Sequence, residues 1–392
     1  MLANESSRAV WRDAAQAMLQ RAEQSAAAIG ANGFPHWADP RTGAWTTTPD
    51  GDWTGGAFPG IFWLGHKMTG EARVLKLAQT WSAKLRPRAN LETAFKGFGF
   101  YYGAALGDLL AHDKEAAATA LEAATSLARQ YDPVLGLIPL GRDAEEAGEV
   151  GSAYSSIDSL QATPLLFWAA RKSGRQDFAE CAARHTTQVL RIHCRADGSI
   201  VQSTELDGKS GQVIRNFTHK GYSDTSVWGR AQGWGMLYSA MAYAQDRTRA
   251  DWLEQSMAAA DWWLGRVPAD GVAYWDFDDP DIPAVPRDTA ATAIACATLL
   301  RLAELAPDQA DRQRYREAAE DTLRTLVEQY LTRGQAGNSS SPPAGMLIGG
   351  CFNKRADSRA RDSVTNAELI FGSYYLFECL QILGGTIQAT EL

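Results

Sequence analysis

"GRAQGWGMLYSAMAYAQ", residues 229–245, carries one charge, Arg230, and is followed at 249–265 by "RADWLEQSMAAADWWLG", an amphipathic run charged along one face. A helix that is apolar all round belongs inside a protein, and one with an apolar stripe packs outside it. The same pairing recurs along the chain. Nearly uncharged runs rich in Gly, Ala and aromatics fall at 56–69, 99–111, 156–171, 229–245, 288–306 and 366–384. Amphipathic runs fall at 8–28, 71–87, 114–130, 175–194, 249–265 and 310–332. Six inner helices closed by six outer ones predict an all-α fold, an (α/α)6 barrel or six-hairpin toroid. Strand signals are short, as in "GSIVQST" (198–204). Loops at 30–55, 88–98, 133–155, 196–228, 266–287 and 334–365 precede the inner helices and so gather at one rim, where a rigid scaffold presents its sites. No Pro/Ser/Gly-rich linker divides the chain, so residues 1–392 are expected to form a single catalytic domain.

A formal net charge of −8 with no basic block argues against nucleic acid or an anionic membrane as partner. The sequence shows no basic-then-apolar leader and no run long enough to span a bilayer. Five scattered cysteines without a CxxC pair predict reduced thiols, a cytoplasmic location and no zinc. No metal or cofactor is expected, and the chain is taken as a monomer or homodimer. Thirteen tryptophans against six histidines read either as core or as the lining of a carbohydrate site, because the C–H faces of sugars pack on indoles.

Candidate site residues cluster where loops enter inner helices. In "SSIDSLQATPLLFWAA" (155–170), Asp158 reads either as a helix-start acid that caps free N–H groups or as a general acid whose pKa aromatic walls raise. In "THKGYSDTSVWGRAQGWG" (218–235), Trp228, Arg230, Gln232 and Trp234 fall at even spacing, two indoles flanking a guanidinium and an amide. That set suits a polyhydroxylated anion, with His219 and Lys220 adding polar reach. Trp53 lies beside glycines in "DWTGGAFPGIFWLG" (52–65). Asp276, Asp278, Asp279 and Asp281 read as a solvated acidic loop and Asp288 as a helix cap.

Five ordered blocks then carry a family resemblance: "WTGGAFPGIFWLG" (53–65), "IDSLQATPLLFWAA" (157–170), "GYSDTSVWGRAQGWG" (221–235), "YWDFDDPDIPAVPRDTAA" (274–291) and "ELIFGSYYLFECL" (368–380). Together they resemble the unsaturated glucuronyl hydrolases, glycoside hydrolase family 88, over most of the chain. The resemblance implies an (α/α)6 barrel that releases a 4-deoxy-4,5-unsaturated uronic acid from oligosaccharides left by a polysaccharide lyase. In that chemistry an aspartate protonates C4 of the vinyl ether, water adds at C5, and the hemiketal opens to free the remaining sugar. One carboxyl group reused as acid and base suffices, unlike the two of ordinary glycosidases. Asp158 matches the family's catalytic aspartate. Trp228, Arg230 and Trp234 match its substrate-contacting positions, with His219 in the same motif.

The chain departs from the family at "KGFGF" (96–100), where the pattern is HDxGF. Lys96 replaces the His and Gly97 the second Asp. The loss is expected to leave room beside the double bond and to lower the pKa of Asp158, with Lys96 set to grip a carboxylate or sulfate. A family histidine also falls at Gln202 or Ser203, and Ser373 stands where an Asp is common. A divergent member is therefore expected. The alternatives are action on unsaturated rhamnogalacturonides, cleavage of a saturated glucuronide with Glu92 or Asp224 as second carboxylate, and sugar binding without turnover.

Overall fold

The computed structural model describes residues 5–31, 33–151, 153–334, 342–354 and 363–392. Its inner helices are Ala57–Thr69, the continuous run Lys96–Phe100, Tyr101–Ala105 and Leu106–Ala111, then Ala162–Ser173, Gly229–Gln245, Thr289–Leu305 and Ile370–Gly384. Each packs on the next, and Ile370–Gly384 returns to Ala57–Thr69, which closes the ring. The outer helices Glu5–Ile29, Ala72–Ala83, Lys114–Ala128, Gln176–His193, Ala250–Leu264 and Gln309–Thr325 surround it. Every residue from Gly229 to Ala242 is buried, as a helix without a polar face requires. The six-hairpin toroid expected from the charge pattern is the fold.

The hairpin turns are local sequence effects. Gly70 and Gly174 end two inner helices in the left-handed region (φ 70° and 74°), which a residue without Cβ adopts at no steric cost. Asp288 starts the helix Thr289–Leu305 by accepting the Ala290 and Ala291 N–H groups, the capping role expected of it. Inside the ring, polar groups satisfy one another. Arg301 and Glu378 pair at 2.8 Å, Tyr374 donates to Glu378, and the hydroxyls of Tyr102, Tyr238 and Tyr375 meet at 2.7–3.1 Å. Among the described residues no helix is long and apolar enough to cross a membrane.

The rim differs from an all-helical expectation. Among the described residues two three-stranded sheets sit there, one with Phe34–Ala38 between Trp45–Thr48 and Glu368–Leu369, the other with Ser203–Leu206 between Ser155–Ser156 and Val213–Phe217. Long loops packed over a cavity must pair their backbone groups, and short ladders do so. Ser155 and Ser156 thus form a strand, paired to Thr204 and Ser203, where a capped helix start was expected. The chain switches from strand to a 3₁₀ turn, Ile157–Gln161, and that switch sets Asp158 at the rim. Nor is 276–281 a solvated loop throughout. Asp276 is buried, accepting from Tyr222 N and Ser226 Oγ, and Asp279 accepts from Trp275 Nε1 and Lys354 Nζ.

Candidate active site

A cavity of about 220 Å³ opens at the rim. Of the residues singled out from sequence, Trp53, Asp158, Lys220, Trp228 and Arg230 line it. Rim loops and one inner helix complete the wall: His36, Trp37 and Asp52 from the first loop, Phe95 from the second, Phe98 from the helix Lys96–Phe100 that follows it, Glu145 and Glu146 from the third loop, and Phe352 from the last. The rings form a continuous surface, with Trp53 5.1 Å from Phe98 and stacked on Phe352 at 6.4 Å. A larger groove of about 390 Å³ lies outside, between the outer helices Ala72–Ala83 and Lys114–Ala128, but its acids, Asp113 and Glu115, are not buried.

Asp158 is buried, and Ser156 Oγ donates to its Oδ2 at 2.5 Å. Burial first, and the neighbouring Glu146 second, push its carboxyl up to about 6, against the pull of Ser156, His219 and Arg230. Glu146 behaves oppositely. Burial disfavours its charge, but His219 Nε2 at 2.9 Å, Lys220 Nζ at 3.9 Å and Arg230 hold it at about 2. Beyond His219 Nε2, Glu146 Oε2 has no hydrogen-bond partner among the described residues. Glu145, on the same wall, is driven well above the carboxylate range by burial and by its hydrogen bond and charge contact with Asp52, while Arg88 opposes. His36 is pushed down to about 4 by burial, so its ring is neutral near pH 7, with Nδ1 2.8 Å from Thr54 Oγ1.

His219 stands behind Glu146, with Nδ1 3.1 Å from Ser203 Oγ and its backbone N–H donated to Gln202 Oε1. Both residues that fall where a family histidine was expected thus brace His219. Arg230 is more committed than its sequence reading implied. Its Nη1 pairs with Asp288 Oδ2 at 2.9 Å and donates to Cys351 O, and its Nη2 donates to Phe352 O at 2.6 Å. The fork holds the loop that carries Phe352, with Trp228 stacked 4.5 Å from the guanidinium; only Nε lacks a partner among the described residues.

Gln232 and Trp234 do not reach the cavity. Two residues on a helix are about 200° apart, so even spacing alternates faces. Gln232 points outward, donating to Gly198 O and Ala259 O and accepting from Ile200 N. Trp234 faces the barrel axis one turn below Arg230, fully buried against Phe98, Tyr238, Phe371 and Tyr375. Lys96 also turns away, its Nζ 2.5 Å from Ser126 Oγ, with burial lowering it to about 8. Of the two acids proposed as a second carboxylate, Glu92 is exposed and paired with Arg142, and Asp224 is exposed and caps Thr218 N.

Gly97 leaves no room beside the substrate, contrary to the expectation from its departure. A Cβ there would lie 1.8 Å from Gln161 O and 2.0 Å from Gln161 Oε1, which itself accepts from Phe98 N at 2.7 Å. Gly97→Ala is therefore expected to destabilise the fold by at least about 1–3 kcal/mol in a denaturant titration; an unchanged midpoint would show that the turn carrying Gln161 gives way easily.

The sequence reading missed His36, Asp52, Glu145, Glu146 and Phe352. Their only signal was membership of the rim loops, and adjacent glutamates in "DAEEAGEV" (143–150) look like any solvated stretch.

No protein-family model matches the chain. It is 32% identical over 356 residues to the unsaturated glucuronyl hydrolase of Bacillus sp. (strain GL1), covering 88% of this chain and 90% of the relative. It is 27% identical to an unsaturated chondroitin disaccharide hydrolase of Streptococcus pyogenes, over 84% of this chain and 80% of the relative. The crystal structure of the Bacillus sp. GL1 enzyme superposes with a TM-score of 0.85 at 30% identity, covering 95% of this chain and 96% of that one. With near end-to-end identity at this level on the same toroid, the chain belongs to the unsaturated glucuronyl hydrolase family.

Proposed function

We propose that this enzyme removes the terminal unsaturated uronic acid from lyase-generated oligosaccharides, with Asp158 as the acid. The relatives' names, unsaturated glucuronyl hydrolase and unsaturated chondroitin disaccharide hydrolase, supply the substrate class. The observation that carries the reading is a buried carboxyl, raised to about 6, on the wall of an aromatic cavity. Asp158 gives its proton to C4 of the vinyl ether. Water adds its oxygen at C5 and returns a proton to the Asp158 carboxylate. The C5 hemiketal then opens to a ketone, the C1–O bond to the next sugar breaks, and the freed hydroxyl keeps the glycosidic oxygen. One water is consumed and no cofactor is needed. Trp53 and Trp228 pack against the ring, and Lys220 faces the uronate carboxylate, since the Arg230 fork is already engaged. We place the reaction in the cytoplasm, where five free cysteines stay reduced.

Matched disaccharides that differ only at C4=C5 test the reading. Loss of the conjugated alkene absorbance in step with sugar release is expected for the unsaturated one alone. Comparable cleavage of the saturated partner would instead support an ordinary glucuronidase. The pH dependence has a definite sign. Only protonated Asp158 donates, so kcat is level on the acid side and falls about tenfold per pH unit above an apparent pKa near 6. A rate that rises through this window would mean the carboxylate is the working form.

A further inference from the structure

We propose that Glu146 is the second carboxylate of this site, a positioning residue that keeps Asp158 protonated and accepts a sugar hydroxyl. The proposal rests on the reading of Asp158 as the acid. The resemblance puts a second family aspartate at position 97, but here that position is a glycine packed on Gln161 with no space for a side chain. The charge arrives from elsewhere. Glu146 comes from the rim loop that precedes Asp158 and lines the same cavity.

Three observations fit this role. Glu146 is held on one side by His219 Nε2 at 2.9 Å and Lys220 Nζ at 3.9 Å, contacts that fix its carboxylate in place. Its Oε2 is buried and, beyond His219 Nε2 at 2.9 Å, has no hydrogen-bond partner among the described residues, so a lone pair on the cavity wall is left for a ligand donor. Its charge is among the influences that raise Asp158. The groups acting on Asp158 are Ser156 on the strand just before its 3₁₀ turn, Glu146 on the rim loop, His219 and Arg230; those acting on Glu146 are His219, Lys220 and Arg230. Two acids pushed apart in this way divide the work, one holding a proton and the other a fixed charge.

Glu146→Gln in the full chain removes the charge and keeps the shape. On an unsaturated disaccharide, the alkaline limb of kcat is expected to move down by about one pH unit and KM to rise about tenfold. A purely structural residue would not move the limb, so an unmoved limb overturns the proposal. Glu146→Asp guards against a variant that fails to fold. It keeps the charge, so its limb should stay at the wild-type position, and a limb displaced downward would overturn the proposal as well. If the wild type turns over no unsaturated disaccharide, the function assigned above fails instead. Carboxyl ¹³C titration of Asp158 without ligand then still decides Glu146: a lower midpoint in Glu146→Gln supports the role, and an identical one removes it.

Discussion

Asp158→Asn is expected to lower kcat on an unsaturated disaccharide by about 10²–10⁴-fold, the usual contribution of a general acid, while KM changes little. The amide keeps the volume of the carboxyl and can still accept from Ser156 Oγ, so the cavity wall is preserved. The same substitution is expected to stabilise the fold. A carboxyl whose folded pKa is raised to about 6 binds its proton more tightly in the native than in the unfolded chain. Stability therefore falls as pH rises from the ordinary aspartate range through about 6, by a total of about 3 kcal/mol. Asn does not titrate, so the variant escapes this loss. Denaturant titrations on either side of the window should show a gain above it and none well below it. A variant with near-normal kcat would remove Asp158 from the chemistry, and one without the pH-dependent gain would mean the carboxyl is not desolvated.

Arg230→Met should cost about 3–5 kcal/mol of stability, because it strands a buried carboxylate. Asp288 is fully buried; burial pushes its carboxyl up, and Arg230 is the charge that opposes this. The same guanidinium holds Cys351 O and Phe352 O. Its loss thus frees the loop that sets Phe352 over the cavity. A loss of this size is a large share of a typical domain's 5–15 kcal/mol. Adding Asp288→Asn should recover part of it, since an amide oxygen still caps the Ala290 and Ala291 N–H groups without needing a counter-charge. If Arg230→Met instead leaves stability within about 1 kcal/mol and raises only KM, the guanidinium serves the substrate directly, as its flanking tryptophans suggested from sequence.

The scaffold was legible because it is written as periodicity and charge. Runs such as 229–245, with one charge in seventeen residues, leave a helix no exposed face, and their alternation with charged partners specifies a toroid. The site was legible only where it sits at helix entries: Asp158, Trp228 and Arg230 lie at or just before the first turn, where side chains reach the rim. Even spacing along the chain does not show that Gln232 turns to the outer face of its helix, or that Trp234, on the face of Arg230, lies one turn deeper than the cavity. Glu146, His36 and Phe352 come from loops, which have no period to reveal which way a residue points. Gly97 shows the complementary error. A missing side chain is not empty space, because Gln161 of the neighbouring 3₁₀ turn has closed in to contact.

Burial first, and Glu146 second, keep the Asp158 carboxyl protonated at pH values where other aspartates are ionised. Its titration can be followed directly by carboxyl ¹³C NMR, assigned by comparison with Asp158→Asn. A midpoint near 6 is expected; one near the unperturbed aspartate value of about 4 would mean that the carboxyl is an ordinary ionised aspartate and not the acid of the site.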